Sequence, residues 1–166
     1  YRLKTALAEM DAEVIEATLR HEDRWFRWHP GVNPVSLLRG LTGWIGGERL
    51  GGGSTVTMQL ARLRFGLHTR SLWGKSVQIF RALQLERHFS KDEILEAYLN
   101  LAPYGGNVEG VGAAAILWCG KQAHDLTLRE AVTLSVLPQS PARRRPRVPA
   151  ADRAAPYRRP WRQRNT

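Results

Sequence analysis

The sequence predicts a mainly α, compact domain interrupted by a flexible Gly-rich flap. Three observations carry this. Apolar residues recur at three- and four-residue spacing through most of the chain. Two capping boxes, Ser90-Lys91-Asp92-Glu93 and Thr127-Leu128-Arg129-Glu130, mark helix starts. No stretch of useful length alternates apolar with polar side chains, and no internal repeat is present.

The elements follow in order. Leu7, Met10, Val14 and Ile15 predict a first helix over about residues 5–20. A loop, HEDRWFRWHPGVN, comes next. Asn33 then reads as an N-cap with Pro34 at the first helical position, for a helix carrying Val35, Leu37, Leu38 and Leu41 to about Ile45. The stretch GGERLGGG, residues 46–53, is the flap, where absent side chains leave the backbone free to approach a ligand. No Lys-Ser/Thr pair follows these glycines at the spacing a nucleotide phosphate loop needs. A helix from Ser54 or Thr55 carries Val56, Leu60 and Leu63, and a long one runs from about Ser71 to His88. Ser90 opens a helix with Ile94, Leu95, Tyr98 and Leu99. After the turn APYGGN, the small apolar run Val108 to Trp118 predicts a buried helix, and the helix opened by Thr127 stops at Pro138.

With 166 residues, 43% of them hydrophobic, the chain is long enough for one domain with an ordinary core. No run reaches the ~18 apolar residues of a membrane span. The start at Tyr1 reads as mid-chain, so an anchor is expected to be missing. The net charge of +10 invites a nucleic-acid reading, but nine arginines against one acid fall within residues 142–166. Residues 1–141 carry a net charge of only +2. The basicity therefore belongs to a tail, which Pro146, Pro149, Pro156 and Pro160 keep from forming a helix. We expect a folded domain over 1–145, a disordered basic Pro-rich tail over 146–166, and no nucleic-acid partner. The single Cys119, beside Trp118, is expected to be an inert buried thiol. His21, His68, His88 and His124 show no metal-ligand spacing.

Three constellations can carry chemistry. In Glu22-Asp23-Arg24-Trp25-Phe26-Arg27-Trp28-His29-Pro30-Gly31, acids and aromatics share a loop, and aromatics that shield a carboxylate push it toward a general base. The bland alternative makes the acids surface charges and Trp25, Phe26 and Trp28 core anchors. His29, before a proline, is expected to be a structural hydrogen-bonder. In Gly53-Ser54-Thr55-Val56-Thr57-Met58-Gln59-Leu60-Ala61-Arg62, hydroxyls and an amide gather at one helix start, with Arg62 further along. The alternative is an ordinary cap. Lys75, Gln78 and Arg81, three apart, share one face of the long helix, with Glu86 beyond. That face suits a phosphate-bearing ligand, or is simply solvated.

These pieces, in this order, resemble the family 51 glycosyltransferases, the peptidoglycan glycosyltransferase domain of class A penicillin-binding proteins. The family's Glu-Asp-x-x-Phe-x-x-His-x-Gly is matched by Glu22, Asp23, Phe26, His29 and Gly31. Its Gly-x-Ser-Thr-Ile-Thr-x-Gln-Leu is matched by Gly52, Ser54, Thr55, Thr57, Gln59 and Leu60, with Val56 for Ile and Arg62 for the usual trailing Lys. Ile94, Leu95, Glu96, Tyr98, Leu99 and Asn100 match a further motif, which continues through Gly105, Gly110, Ala113, Ala114, Gly120 and Lys121. Glu130, Ala131, Leu134, Leu137, Pro138 and Pro141 match the last. The similarity covers about residues 10–146. One stretch departs. Where the family has Arg-Lys-x-x-Glu, this chain has Gly74-Lys75-Ser76-Val77-Gln78, so the second carboxylate is an amide.

The resemblance implies a lysozyme-like fold and an inverting transferase that polymerises lipid II into β-1,4-linked glycan and releases undecaprenyl pyrophosphate. It makes Glu22 the general base. It implies substrate binding by Asp23, Phe26, His29, Gly52, Ser54, Thr55, Thr57, Gln59, Arg62, Lys75, Gln78, Arg81, Asn100 and Gly105. A diphosphate leaves readily once its charge is met, so one carboxylate suffices, whereas hydrolases of ordinary glycosides usually need two. The alternative is a lytic transglycosylase or lysozyme-like enzyme that cleaves glycan. No tightly bound cofactor is expected, and a divalent cation, Mg or Mn, would assist. Expected partners are lipid II, the growing glycan, the membrane surface and cell-wall synthesis proteins, at the periplasmic face of the inner membrane. Val35 to Ile45, with Trp44, is the candidate interfacial stretch. No Ser-x-x-Lys occurs in the chain, so no transpeptidase domain and no β-lactam binding are expected.

Overall fold

The computed structural model describes residues 1–35, 37–38, 53–69 and 71–138. The tail over 146–166, Gly52, and the flap apart from Gly53 lie outside the described residues, as does the candidate interfacial stretch beyond Leu38.

The fold is mainly α. The first helix, α1 (Ala12–Glu22), starts later than periodicity predicts, because Asp11 caps it by accepting from the Glu13 N–H. Leu7–Glu9 forms a separate 3-10 turn, and the extended backbone at Met10 divides the two. The apolar spacing runs through this break, which is why it reads as one helix. Pro34, Val35, Leu37 and Leu38 are helical, with Asn33 Oδ1 accepting from the Val35 N–H at 3.0 Å.

Helix α2 (Val56–Phe65) is capped by Thr55 and closed by Gly66 in the left-handed region. Helix α3 (Leu72–His88) takes Ser71 as its cap. Helix α4 (Lys91–Leu101) begins with the expected box at Ser90 and Glu93. A two-stranded antiparallel hairpin follows, β1 (Pro103–Gly105) and β2 (Val108–Glu109). It escaped prediction because two- and three-residue strands carry no alternation. The expected helix from Val108 to Trp118 is instead a short α5 (Val111–Ala114) that continues as a π-helical turn, Ala115–Cys119.

Helix α6 (Leu128–Ser135) opens on the expected box at Thr127. Its Glu130 Oε2 accepts from the Lys121 ammonium at 2.9 Å and from the Thr127 N–H and hydroxyl. Those donors, Lys121 first, hold the carboxyl down to about 2. Cys119 is half-buried, and burial, then the Glu130 charge, raises its thiol.

Helix α4 is the centre of the core. Its Leu95, Tyr98 and Leu99 are wholly buried, and Val14, Phe26, Leu60, Tyr104 and Leu134 pack in the same cluster. Helix α2 packs on both α3 and α4, and α1 packs on α6. The end of α1 meets the start of α2 through the Val56 N–H to Asp23 hydrogen bond. Among the described residues no helix is long and apolar enough to cross a membrane.

Candidate active site

Glu22 is the last residue of α1, and Asp23 caps that helix end, its N–H bonding to the Leu19 carbonyl. The two acids then diverge. Asp23 turns inward and is buried. Its Oδ2 accepts from the Val56 N–H at 3.0 Å, and both its oxygens lie within 3.0 Å of His29 Nε2. A carboxylate can only accept here, so Nε2 carries the hydrogen. Val56 opens α2, and its amide is one that a helix leaves without an internal partner. Asp23 thus supplies the missing acceptor and fastens the end of α1 to the start of α2.

The neighbouring bonds extend this clasp. Thr55 donates to the Gly31 carbonyl at 2.6 Å while capping Met58, and Thr57 donates to Glu86 at 2.6 Å. Lys91 bridges the Glu86 carboxylate and the His29 carbonyl, and its ammonium lies over the Phe26 ring. Gly31 has φ +81°, and a Cβ there would lie 2.6 Å from Glu86 Cγ, so both conformation and space call for glycine.

Glu22 has different partners. Its Oε2 accepts from Gln59 Nε2 at 2.7 Å. Its Oε1 is buried and, among the described residues, has no hydrogen-bond partner. Gln59 Oε1 in turn faces the Tyr98 hydroxyl at 3.4 Å, which favours the amide orientation that presents N–H to Glu22. Burial and then the Glu22 charge hold the phenol of Tyr98 well above its usual pKa. The same two causes raise that of Tyr104. Both phenols therefore stay neutral around the carboxylate.

Glu22 lines a cleft of about 670 Å³ together with Asp23, His29, Ser54 and Thr55. The Ser54 hydroxyl accepts from the Lys75 ammonium at 2.5 Å, so a cation stands behind the cleft wall that Glu22 shares. Burial, and secondarily Arg62, lowers the pKa of Lys75. Arg62 is exposed and near enough to act electrostatically on both Lys75 and Tyr98.

The face of α3 that was expected to be basic and open is turned onto α2. Lys75 reaches Ser54, Gln78 donates to the Met58 carbonyl at 2.7 Å, and the Arg81 guanidinium lies 5.0 Å from the Phe65 ring centroid. Gln78 is buried, with Oε1 unpartnered among the described residues. A carboxylate there would have no hydrogen to offer Met58. We expect Gln78→Glu to cost about 3 kcal/mol at pH 8, the scale of an unpaired buried charge. Burial raises the folded pKa of such an acid above its unfolded value of ~4.3, so the penalty is absent below that pH and grows above it. Thermal unfolding across pH 4 to 8 checks this, and a constant deficit contradicts it.

Other expected site residues lie elsewhere. Asn100 does not line the cleft. Its side chain bonds the Thr5 N–H, the Thr5 carbonyl and the Glu96 carbonyl, tying the N-terminal segment to α4. Gly105 ends β1 at φ +87°. Phe26 is a core side chain, as anticipated, but Trp25 and Trp28 are 56% and 84% exposed and anchor nothing. Tyr98 and Tyr104 are buried near enough to Glu22 to feel its charge, whereas the sequence marks Tyr98 only as a motif and core position and Tyr104 only as part of a turn. Lys91 was likewise missed, because a basic residue opening a capped helix reads as surface.

The comparisons with known proteins agree with this arrangement. The profile described as transglycosylase matches residues 1–163. Penicillin-binding protein 1C of Escherichia coli (strain K12) is 46% identical over 149 residues, covering 88% of this chain and 19% of that protein. Penicillin-binding protein 1A of the same strain is 38% identical over 142 residues, covering 85% of this chain and 17% of that protein. Penicillin-binding protein 1A of Aquifex aeolicus (strain VF5) is 37% identical over 146 residues, covering 87% of this chain and 20% of that protein. The chain spans about a fifth of the length of these curated relatives. A family match spanning nearly every residue, with a relative 46% identical over most of the chain, leads to one assignment: the chain belongs to the transglycosylase family.

Proposed function

We propose that the chain is a peptidoglycan glycosyltransferase that joins lipid II into β-1,4-linked glycan strands and releases undecaprenyl pyrophosphate, with Glu22 as general base. The observation that carries this is the Glu22 carboxylate. One oxygen is held by Gln59, and the other is buried and unpartnered among the described residues, in a residue that lines a cleft whose wall is backed by Lys75. The Glu22 carboxylate takes the proton of the acceptor's GlcNAc 4-hydroxyl as the hydroxyl oxygen attacks C1 of the donor. The C1–diphosphate bond breaks on the opposite face, so an α-linked donor becomes a β-linked product. Lys75 and Arg62 meet the growing charge on the diphosphate, and the lowered pKa of Lys75 makes it a donor of strong hydrogen bonds.

The remaining expected residues divide by what they touch. Ser54, Gln59, Arg62 and Lys75 bind or orient substrate groups. Asp23, Phe26, His29, Thr55, Thr57, Gln78 and Arg81 hold α1, α2 and α3 in register. A divalent cation, Mg or Mn, would arrive with the diphosphate, whose oxygens can hold it. Residues 1–145 form the catalytic domain, and the tail over 146–166 is an appendage to it. The substrate's lipid places the work at a membrane surface, at the periplasmic face of the inner membrane, where cell-wall synthesis proteins are the natural neighbours.

Labelled lipid II and isolated sacculi separate this function from a lytic one. Strand formation from lipid II supports the proposal, and release of soluble fragments from sacculi without strand formation overturns it. In the same assay Lys75→Ala is expected to lower kcat by about tenfold to a hundredfold, the loss of one charge-stabilising donor. Unchanged kinetics would transfer that role to Arg62.

A further inference from the structure

The first motif leaves positions 24, 25, 27 and 28 without a fixed identity. Here they are Arg24, Trp25, Arg27 and Trp28, all exposed, while the fixed Asp23, Phe26 and His29 between them are buried. The fold therefore does not require these four side chains. An indole as exposed as that of Trp28 forgoes the burial that a large aromatic normally gains.

Arg24, Arg27 and Trp28 rim a recess of about 560 Å³, lined also by Glu16 and Arg20, with Phe26 and Leu19 completing its wall. Arg20, Arg24 and Trp28 also line the cleft of Glu22, so the two spaces adjoin. Arg20 is paired with Glu16 at 2.7 Å and Arg27 with Asp92 at 3.0 Å. The Arg24 guanidinium lies 5.6 Å from the Trp25 ring centroid and, among the described residues, has no carboxylate partner. The recess is thus cationic and aromatic, with one arginine uncommitted.

Its place relative to the chemistry indicates its occupant. Inversion requires the acceptor oxygen to approach C1 opposite the departing diphosphate. In the reaction proposed above Lys75, which bonds Ser54, meets the diphosphate, and neither residue lines the recess. The acceptor therefore extends toward Arg24 and Trp28. One sugar beyond its reacting GlcNAc, the acceptor carries a lactyl-linked peptide rich in carboxylates. A guanidinium pairs with a carboxylate through two parallel hydrogen bonds, and an indole covers the apolar face of a sugar.

We propose that this recess is a subsite for the acceptor disaccharide and its anionic peptide stem, with Trp28 against the sugar and Arg24, aided by Arg20, on the stem carboxylates. This rests on the function proposed above. The test titrates the full chain with soluble, lipid-free GlcNAc–MurNAc-pentapeptide, and with the same compound after amidation of its carboxylates. Vesicles of phosphatidylglycerol form the third arm. Wild type should prefer the anionic compound. Arg24→Ala should weaken that binding by about tenfold, or ~1.4 kcal/mol, and leave the amidated compound unaffected. Trp28→Ala should weaken both. Equal binding of the two compounds by wild type, or no binding of either, overturns the subsite. So does an Arg24→Ala effect confined to vesicle adsorption, which would make the surface a lipid contact. Polymerisation of lipid II by wild type is measured separately, so a chain that builds strands but ignores the stem refutes the subsite alone.

Discussion

Glu22→Gln is expected to reduce lipid II polymerisation by about a thousandfold while leaving the fold intact, within the range that general-base catalysis contributes. The substitution keeps the shape of the side chain and removes its basicity. Gln59 can still bond it, since one amide can offer oxygen to another amide's nitrogen. The oxygen that is buried without a partner in Glu22 ceases to carry charge, so the unfolding temperature should hold or rise slightly. Initial rates with labelled lipid II, alongside thermal unfolding, check both halves. Near-normal turnover would remove Glu22 from the base role, and a collapsed Tm would make its role structural.

The adjacent acid should behave in the opposite manner. Asp23→Ala removes the acceptor of both the Val56 N–H and His29 Nε2 in a buried site. Two orphaned buried donors predict a loss of about 3 kcal/mol, and some 10 °C in Tm for a domain of this size. The carboxylate also faces the positive end of α2, an interaction lost along with it. Activity should fall as well, because Gln59 rides on α2 and Glu22 ends α1, and Asp23 is the tie between them. Asp23→Asn, which keeps an oxygen for Val56, should recover part of the stability. A drop below about 2 °C for Asp23→Ala would show that the clasp does not hold the two helices. A drop of about 10 °C would instead separate the neighbouring acids into one that acts on substrate and one that acts on the fold.

Much of the fold was legible because local chemistry determines it. Ser90 with Glu93, and Thr127 with Glu130, open helices as read, and Thr55 and Ser71 cap theirs. His29 is the structural hydrogen-bonder expected, and Lys75 stands behind the cleft wall that Glu22 shares. The errors arose where periodicity spans a break or is too short to register. Met10 continues an apolar spacing while its backbone is extended, and Gly105 and Asn107 turn a hairpin with positive φ. The Trp25 and Trp28 side chains, large and apolar, read as anchors but face solvent, since Phe26 alone points into the core.

By itself the sequence determined the α class, the ordered motifs that place the chain in its family, and the acid at position 22. Only the tertiary structure decided that Asp23 is locked between the Val56 N–H and His29. It also decided that Gln59, 37 positions away, grips Glu22, and that Tyr98 and Tyr104 lie near enough to feel its charge. The physical reason is that spacing along one helix reports which face is apolar, whereas a hydrogen bond between helices depends on how the core packs them.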